Sequence, residues 1–434
     1  MGRGIFGNLL GKLEKTGDTL YDSRRTGHNF SYSINDALKC VLAVFFFQHP
    51  SLLDFQRKMH EKRRRNNLES MFAVREIPSD TQIRTLVDRI EPDSFGGVFN
   101  ESLQEAESRG ALAPYRVLDG GVLLALDGVW YHSSENIHCK HCLHKTVKDK
   151  KTGEEVTAYY HTILAGAIVK PTDTVVLPVM GEPIRNEDGD EKQDCELKAA
   201  KRWVAKHGEE YRWLKPTLLG DDLFSNYPLC KEIVEKGLSF IFTCKEQTHP
   251  WLAETVKNSC MSEKSQREWN GRHHLVCRYQ WLNGVEIRDS RKTLLVNYLS
   301  IEITNEEKGK VTYRNSWVTD KEVREDNVTA LASCGRARWK IENEHNNVLK
   351  NHGYNLEHNF GHGNEHASEM FCLLNLLAFL YHGILQLADE DYRAAREYAG
   401  RRTEFFNELR TVFKWFFHED WHTFIIMVRA GPGE

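Results

Sequence analysis

The chain has 434 residues, of which 58 are Lys or Arg and 62 are Asp or Glu, for a formal net charge of −4. That length holds two or three domains around a large core and excludes a small module stapled by disulfides or a metal. The near-neutral balance excludes a global positive field, so any nucleic-acid surface must be local.

The opening "MGRGIFGNLLGKLEKTGD" lacks the long apolar core of a secretion signal, and ten Cys follow no regular framework. Both favour a reducing cytoplasm and free thiols. From about residue 34 to 110 the apolar positions recur at helical spacing, with Ser79 or Asp80 as a start signal in "IPSDTQIRTLVDRI". This predicts a helical N-terminal domain over residues 1–112. Within it "RKMHEKRRRNN" concentrates positive charge, including Arg63, Arg64 and Arg65. The run reads either as a solvated helix face or as a local DNA contact.

Next come "GVLLALDGVWYHSS", "YYHTILAGAIVK" and "TVVLPVMGEPI", apolar runs rich in Val, Ile and Tyr that predict strands. "DCELKAAKRWVAKHGEEY" predicts a helix, "PTLLGDDLF" a strand, "YPLCKEIVEKG" a helix ended by Gly237, and "LSFIFTCK" a strand. Strands alternating with helices indicate an α/β layer with the sheet inside. Residues 250–330 break that rhythm: "HHLVCRYQWL", "TLLVNYLSIEIT" and "KVTYRNSWVT" predict a β-rich insertion. Residues 331–351 are helical again and 366–388 form a strongly apolar helix. Residues 389–434 make an aromatic-rich helical tail. "CVLAVFFFQHP" and "CLLNLLAFLYHGILQLA" are shorter than the roughly 20 residues that span a bilayer and contain His, so buried helices and no membrane association are expected.

Asp127 follows "VLLAL" and precedes Gly128, and Asp221 follows "PTLLG". A carboxylate ending a core strand costs desolvation unless a cation or donors receive it. Each Asp alone reads equally as the start of a turn. Two such strands side by side would set two carboxylates at one edge, tolerable if a divalent metal lies between them.

The third acid comes from "GRARWKIENEHNNVLK". On a helix Arg338 and Glu342 are i,i+4 neighbours, and Lys350 lies about 80° around from Glu342. Ile341, Val348 and Leu349 supply an apolar side against the sheet. Glu344 is close enough to compete with Glu342, and a surface pair with Arg338 is the plain reading of Glu342. Trp339 is expected to pack against the sheet, with stacking on an unpaired base as its functional alternative.

The order Asp127, Asp221 and Glu342, with Arg338 four residues before the Glu and a Lys downstream, resembles the catalytic core of DDE transposases of bacterial insertion sequences. It is most similar to the branch with a Y-x2-R-x3-E-x6-K helix and a β-rich insertion before the Glu. "GDDLFSN" resembles that branch's Asp followed three residues later by an aromatic, which selects Asp221, with Phe224, over Asp222. Gly335 stands where the Tyr would be, and the Glu342 to Lys350 gap is one residue longer than the pattern. The resemblance implies a ribonuclease-H-like catalytic core over 113–249 and 331–388. It also implies two Mg²⁺ or Mn²⁺ ions on Asp127, Asp221 and Glu342, which carry out in-line phosphoryl transfer. Arg338 and Lys350 would grip DNA phosphates, Trp339 and Arg63 to Arg65 would add DNA contacts, and a homodimer would pair two double-stranded transposon ends with target DNA. A metal-dependent nuclease without strand transfer and an inactive DNA-binding descendant are the competing functions.

A second constellation, "HCKHCLHK", holds Cys139 and Cys142 as half of a structural zinc site that His144 or His161 would complete. No second CxxC follows, so free thiols on a hairpin are the alternative. "LEHNFGHGNEH" spaces His358, His362 and His366 at helical intervals, but Gly361 and Gly363 predict a loop.

Overall fold

The computed structural model describes residues 4–22, 24, 31–59, 67–148, 153–185 and 194–430. Arg63, Arg64 and Arg65 lie outside the described residues.

The protein is mixed α/β. Its strands in chain order are β1 (Arg116–Leu118), β2 (Gly121–Ser134), β3 (Leu143–Lys148), β4 (Glu155–Val169), β5 (Leu177–Ile184), β6 (Thr217–Gly220) and β7 (Ser239–Thr243). They continue with β8 (Ser262–Trp269), β9 (His274–Glu286), β10 (Leu295–Asn305) and β11 (Lys310–Thr319). These make one sheet in the order β3-β4-β2-β6-β7-β11-β10-β9-β8, with β1 paired to β2 and β5 to β4. Among the described strands, β2/β6 and β6/β7 pair in parallel and the other pairs are antiparallel. The strands of residues 250–330 therefore extend the central sheet, because β11 pairs with β7 from Trp317↔Thr243 to Thr319↔Ile241. Two strands carry no apolar signature: β8, "SEKSQREW", is mostly exposed and pairs only through its backbone neighbour β9, and β3 is half exposed beside β4.

Helical regions flank the sheet at both ends of the chain. Ser33 and Ser79 each close a capping box, with Asp36 and Gln82, at the starts of Ile34–Phe46 and Asp80–Val87. The helix Ala367–Ala388 falls where the apolar run predicts it and, with 22 residues, is long and apolar enough to cross a membrane. Instead, 89% of its most apolar window is buried inside the protein, against β5 and the helices Ile5–Asp18, Ile34–Phe46 and Gly96–Ser108. Its one histidine is satisfied there. His382 bonds the Tyr392 hydroxyl at 2.7 Å and the Phe46 carbonyl at 2.9 Å and stacks on the Phe46 ring. Burial drives its pKa down to about 3, so it stays neutral.

Candidate active site

Asp127 does not end its strand: β2 runs on for seven residues to Ser134, and Asp127 pairs with Ala165 of β4. What ends is the partner on the other side. The parallel register Leu123↔Thr217, Leu124↔Leu218, Ala125↔Leu219, continued by two residues, sets Asp127 beside Asp221 just past the last residue of β6. Residues paired in a parallel register face the same side, and the Asp221 charge is among those acting on Asp127. Gly128 is likewise no turn glycine. It pairs with Leu164, and a Cβ there would sit 2.1 Å from Glu196 Oε1. The bare backbone admits Glu196, from the first turn of the helix Glu196–His207, as a fourth acid that sequence reasoning missed.

At the end of β6 the chain enters a short 3₁₀ turn, Asp222–Phe224, capped by Asp221, whose Oδ1 accepts the Leu223 N–H at 2.9 Å. Phe224 is buried under Gly220, where a Cβ would lie 2.1 Å from its ring. Asp222 turns away to accept from the Lys245 N–H and the Thr248 hydroxyl, both at 2.6 Å. Its partners are structural ones.

The segment over the strand ends is not one regular helix. Val328–Arg336 is α-helical, residues 337–338 form a turn, and Ile341–Asn346 is π-helical before Asn347–Asn351 resumes the α form. A π turn holds one extra residue, so Lys350 is carried back by about 100° relative to a straight α-helix, to within about 20° of Glu342. The surplus residue between Glu342 and Lys350 is absorbed there. Both side chains line one open cleft of about 360 Å³ with Gly128, Trp130, Asn346 and Asn347. A larger cavity, about 790 Å³, lies between the helix Pro250–Lys257 and the β9–β11 strands and touches none of the acids.

Two of the acids, Asp127 and Glu342, are held by Arg338 and Asn346 of this segment. Arg338 pairs with Glu342 at 2.7 Å and reaches to 4.0 Å from Asp127 Oδ1. Asn346 Nδ2 donates to Asp127 Oδ2 at 3.0 Å, and its own Oδ1 receives the buried His345 Nδ1 at 2.8 Å. His345 is kept neutral by burial, its pKa driven to about 4. Desolvation, then Glu342, pushes the Asp127 pKa up to about 7; Arg338 opposes this, and Glu196 and Asp221 add to it. Glu196 is also raised, by burial and by Asp221. The charges acting on Asp127 include Glu342 and not Glu344. Among the described residues, the oxygens of Asp127, Asp221 and Glu342 do not all come within 4.8 Å of one another.

Two further expectations are corrected. Trp339 does not pack against the sheet; it is 43% exposed with Lys340 Nζ 4.8 Å from its ring centre. His144 does not join Cys139 and Cys142, because the alternation of β3 buries Leu143 and turns His144 outward. Those cysteines meet His161 of β4 and His362 of the loop 352–366, a Cys/His cluster compatible with zinc. The loop was legible from its glycines, but nothing local in the sequence marks His362 as a partner of a pair 220 residues earlier. No protein-family profile matches the chain, and no curated protein matches it.

Proposed function

We propose that this protein is a DNA transposase acting in the cytoplasm, which cleaves the ends of its element and joins the freed 3′-hydroxyl to target DNA from a ribonuclease-H-like core. The observation that carries the reading is the parallel register that sets Asp127 beside Asp221, under a helical segment bearing Glu342.

The donor set fits two Mg²⁺ or Mn²⁺ ions. Asp127, Asp221 and Glu342 offer only carboxylate oxygen, suited to hard cations, and Asp127, whose pKa is raised first by burial and then by the neighbouring Glu342, is a carboxylate that a divalent cation would favour in its charged form. When bound, such ions supply Lewis acidity to the attacking and leaving oxygens of an in-line displacement. The residues of the chain do the rest. Asn346 orients the Asp127 carboxylate, and Arg338 holds Glu342 until a cation or a phosphate takes its place. Lys350 faces the same cleft as a point charge for phosphate. Trp130 is 41% exposed beside it, stacked on Tyr160 at 4.7 Å with Lys145 Nζ 3.8 Å from its ring, an aromatic and cationic surface on which an unpaired base can stack. The open cleft suits a polymer strand better than an enclosed small molecule.

The test is incubation of the protein with Mg²⁺ or Mn²⁺ and DNA carrying the ends of its own element. Joined products support the proposal, cleavage without joined products supports a nuclease, and neither binding nor cleavage removes both.

A further inference from the structure

We propose that Cys139, Cys142, His161 and His362 bind one structural Zn²⁺ that locks the loop 352–366 onto the sheet.

The four donor atoms already have the spacing of a tetrahedral site. Bonds of about 2.3 Å to sulfur and about 2.0 Å to nitrogen at tetrahedral angles put S···S near about 3.8 Å and S···N near about 3.5 Å. Here the two Sγ atoms are 4.0 Å apart, Cys139 Sγ is 3.5 Å from His161 Nε2, and Cys142 Sγ is 3.4 Å from His161 Nε2 and 3.5 Å from His362 Nε2. All four atoms lie within 4.8 Å of one another. The sulfur separation is about twice a disulfide bond, so the pair is not oxidised. Mixed thiolate and imidazole donors select zinc over the hard cations that suit the acid cleft.

The ligands arrive from three separate pieces of chain, each set independently. Cys139 and Cys142 share a turn between β2 and β3, where the Cys142 N–H bonds the Cys139 carbonyl and the Cys139 N–H points at Cys142 Sγ, at 3.4 Å. His161 is fixed by the β2/β4 register opposite His132. His362 stands between Gly361 and Gly363, with φ of 155° and 70°, conformations open to glycine. A Cβ at Gly363 would lie 2.0 Å from Asp88 Oδ1. That carboxylate accepts the N–H groups of Asn364, Glu365, His366 and Ala367, and Arg84 Nε donates to the Phe360 carbonyl. The helical N-terminal region thus holds the loop in the shape that aims His362 at the cysteines. With four protein ligands, three of them buried, the site has no open position for water or substrate, which makes it structural rather than catalytic.

In another group, His141, Glu365 and His366, two members are engaged by charged neighbours: Lys140 pairs with Glu365, and His366 with Glu91 and Glu369.

The experiment is elemental analysis of the full chain purified without chelator, beside His362→Ala and His144→Ala variants, and visible spectra of the cobalt-substituted wild type. The expected result is about one zinc per chain in wild type and His144→Ala, less than about a tenth of that in His362→Ala, and the intense bands of tetrahedral cobalt with thiolate ligands. Folded wild-type protein free of zinc, zinc retained in full by His362→Ala, or a weak octahedral cobalt spectrum overturns the proposal. The acid cleft stands apart from each outcome, since none of its carboxylates is a ligand here.

Discussion

Asn346 Nδ2 donates to Asp127 Oδ2 across 3.0 Å, joining the π-helical segment to the strand that carries the first acid. His345 completes a chain from a buried neutral imidazole through an amide to the carboxylate. Replacing Asn346 with Ala removes the one side-chain amide that bonds Asp127 among the described residues while leaving its charge. Because groups that orient a ligating carboxylate are worth about 10–100-fold in metal affinity or activity, the Mn²⁺ concentration for half-maximal cleavage should rise by about that factor. DNA-end binding without metal should be unchanged. A parallel loss of end binding would show that the segment itself had collapsed.

The π segment puts Lys350 on the acid cleft, where it pairs with Glu357 at 2.7 Å. Lys350→Ala should weaken binding to element ends and to unrelated duplexes alike, and reduce the slope of log affinity against log salt by about one. Glu357→Gln, which frees the ammonium, should act in the opposite direction. Filter-binding titrations over a range of salt decide it, and an unchanged slope for Lys350→Ala places the phosphate elsewhere.

The raised pKa of Asp127 carries a stability cost with a defined sign. A carboxyl whose folded pKa lies above its unfolded value binds its proton better in the folded state, so its stabilisation is complete below about pH 4 and is lost as the pH rises through about 7. Without divalent ions, Asp127→Asn should match wild type near pH 4 and exceed it by about 2–4 kcal/mol at pH 8. Adding Mg²⁺ should stabilise wild type at pH 8 and leave the variant unmoved. Urea melts at the two pH values check both halves.

How much of this site could be read from the sequence depended on how local each signal was. The strand containing Asp127, the Asp221 and Phe224 pair and the Arg338 and Glu342 pair are local patterns; in the structure Arg338 pairs with Glu342 and reaches toward Asp127, and Asp221 and Glu342 are among the charges acting on Asp127. Asp127 followed by Gly128 looked like a turn because a glycine after an acid is a turn signal, yet Gly128 serves the close approach of Glu196, a contact set by folding. The excess residue before Lys350 is a departure when spacing is compared with the pattern residue by residue, and that spacing alone does not show the π turn at Ile341–Asn346 that takes it up. The strand β8 was missed for a related reason: an exposed strand alternates no apolar residues, and only pairing with β9 defines it.

Gly335 is tied to Trp317 in the same non-local way. A Cβ at 335 would sit 2.7 Å from the Trp317 Nε1, and that indole is fully buried. The space at this position of the helix is taken by β11, which leaves no room for a tyrosine. Gly335→Ala should therefore cost about 1–3 kcal/mol of stability by overpacking, measured by urea unfolding, and Gly335→Tyr should prevent folding unless Trp317 is also reduced to Ala. A neutral Gly335→Ala would mean that the indole moves freely.

The central claim is that acids from two strands and one helical segment hold divalent ions together, and the most direct measurement is anomalous diffraction from crystals soaked in Mn²⁺. The account predicts peaks between Asp127 and Asp221, one of them within coordination distance of Glu342 once Arg338 has withdrawn. Manganese bound elsewhere on the protein, with no peak between those two aspartates at saturating concentration, would contradict it.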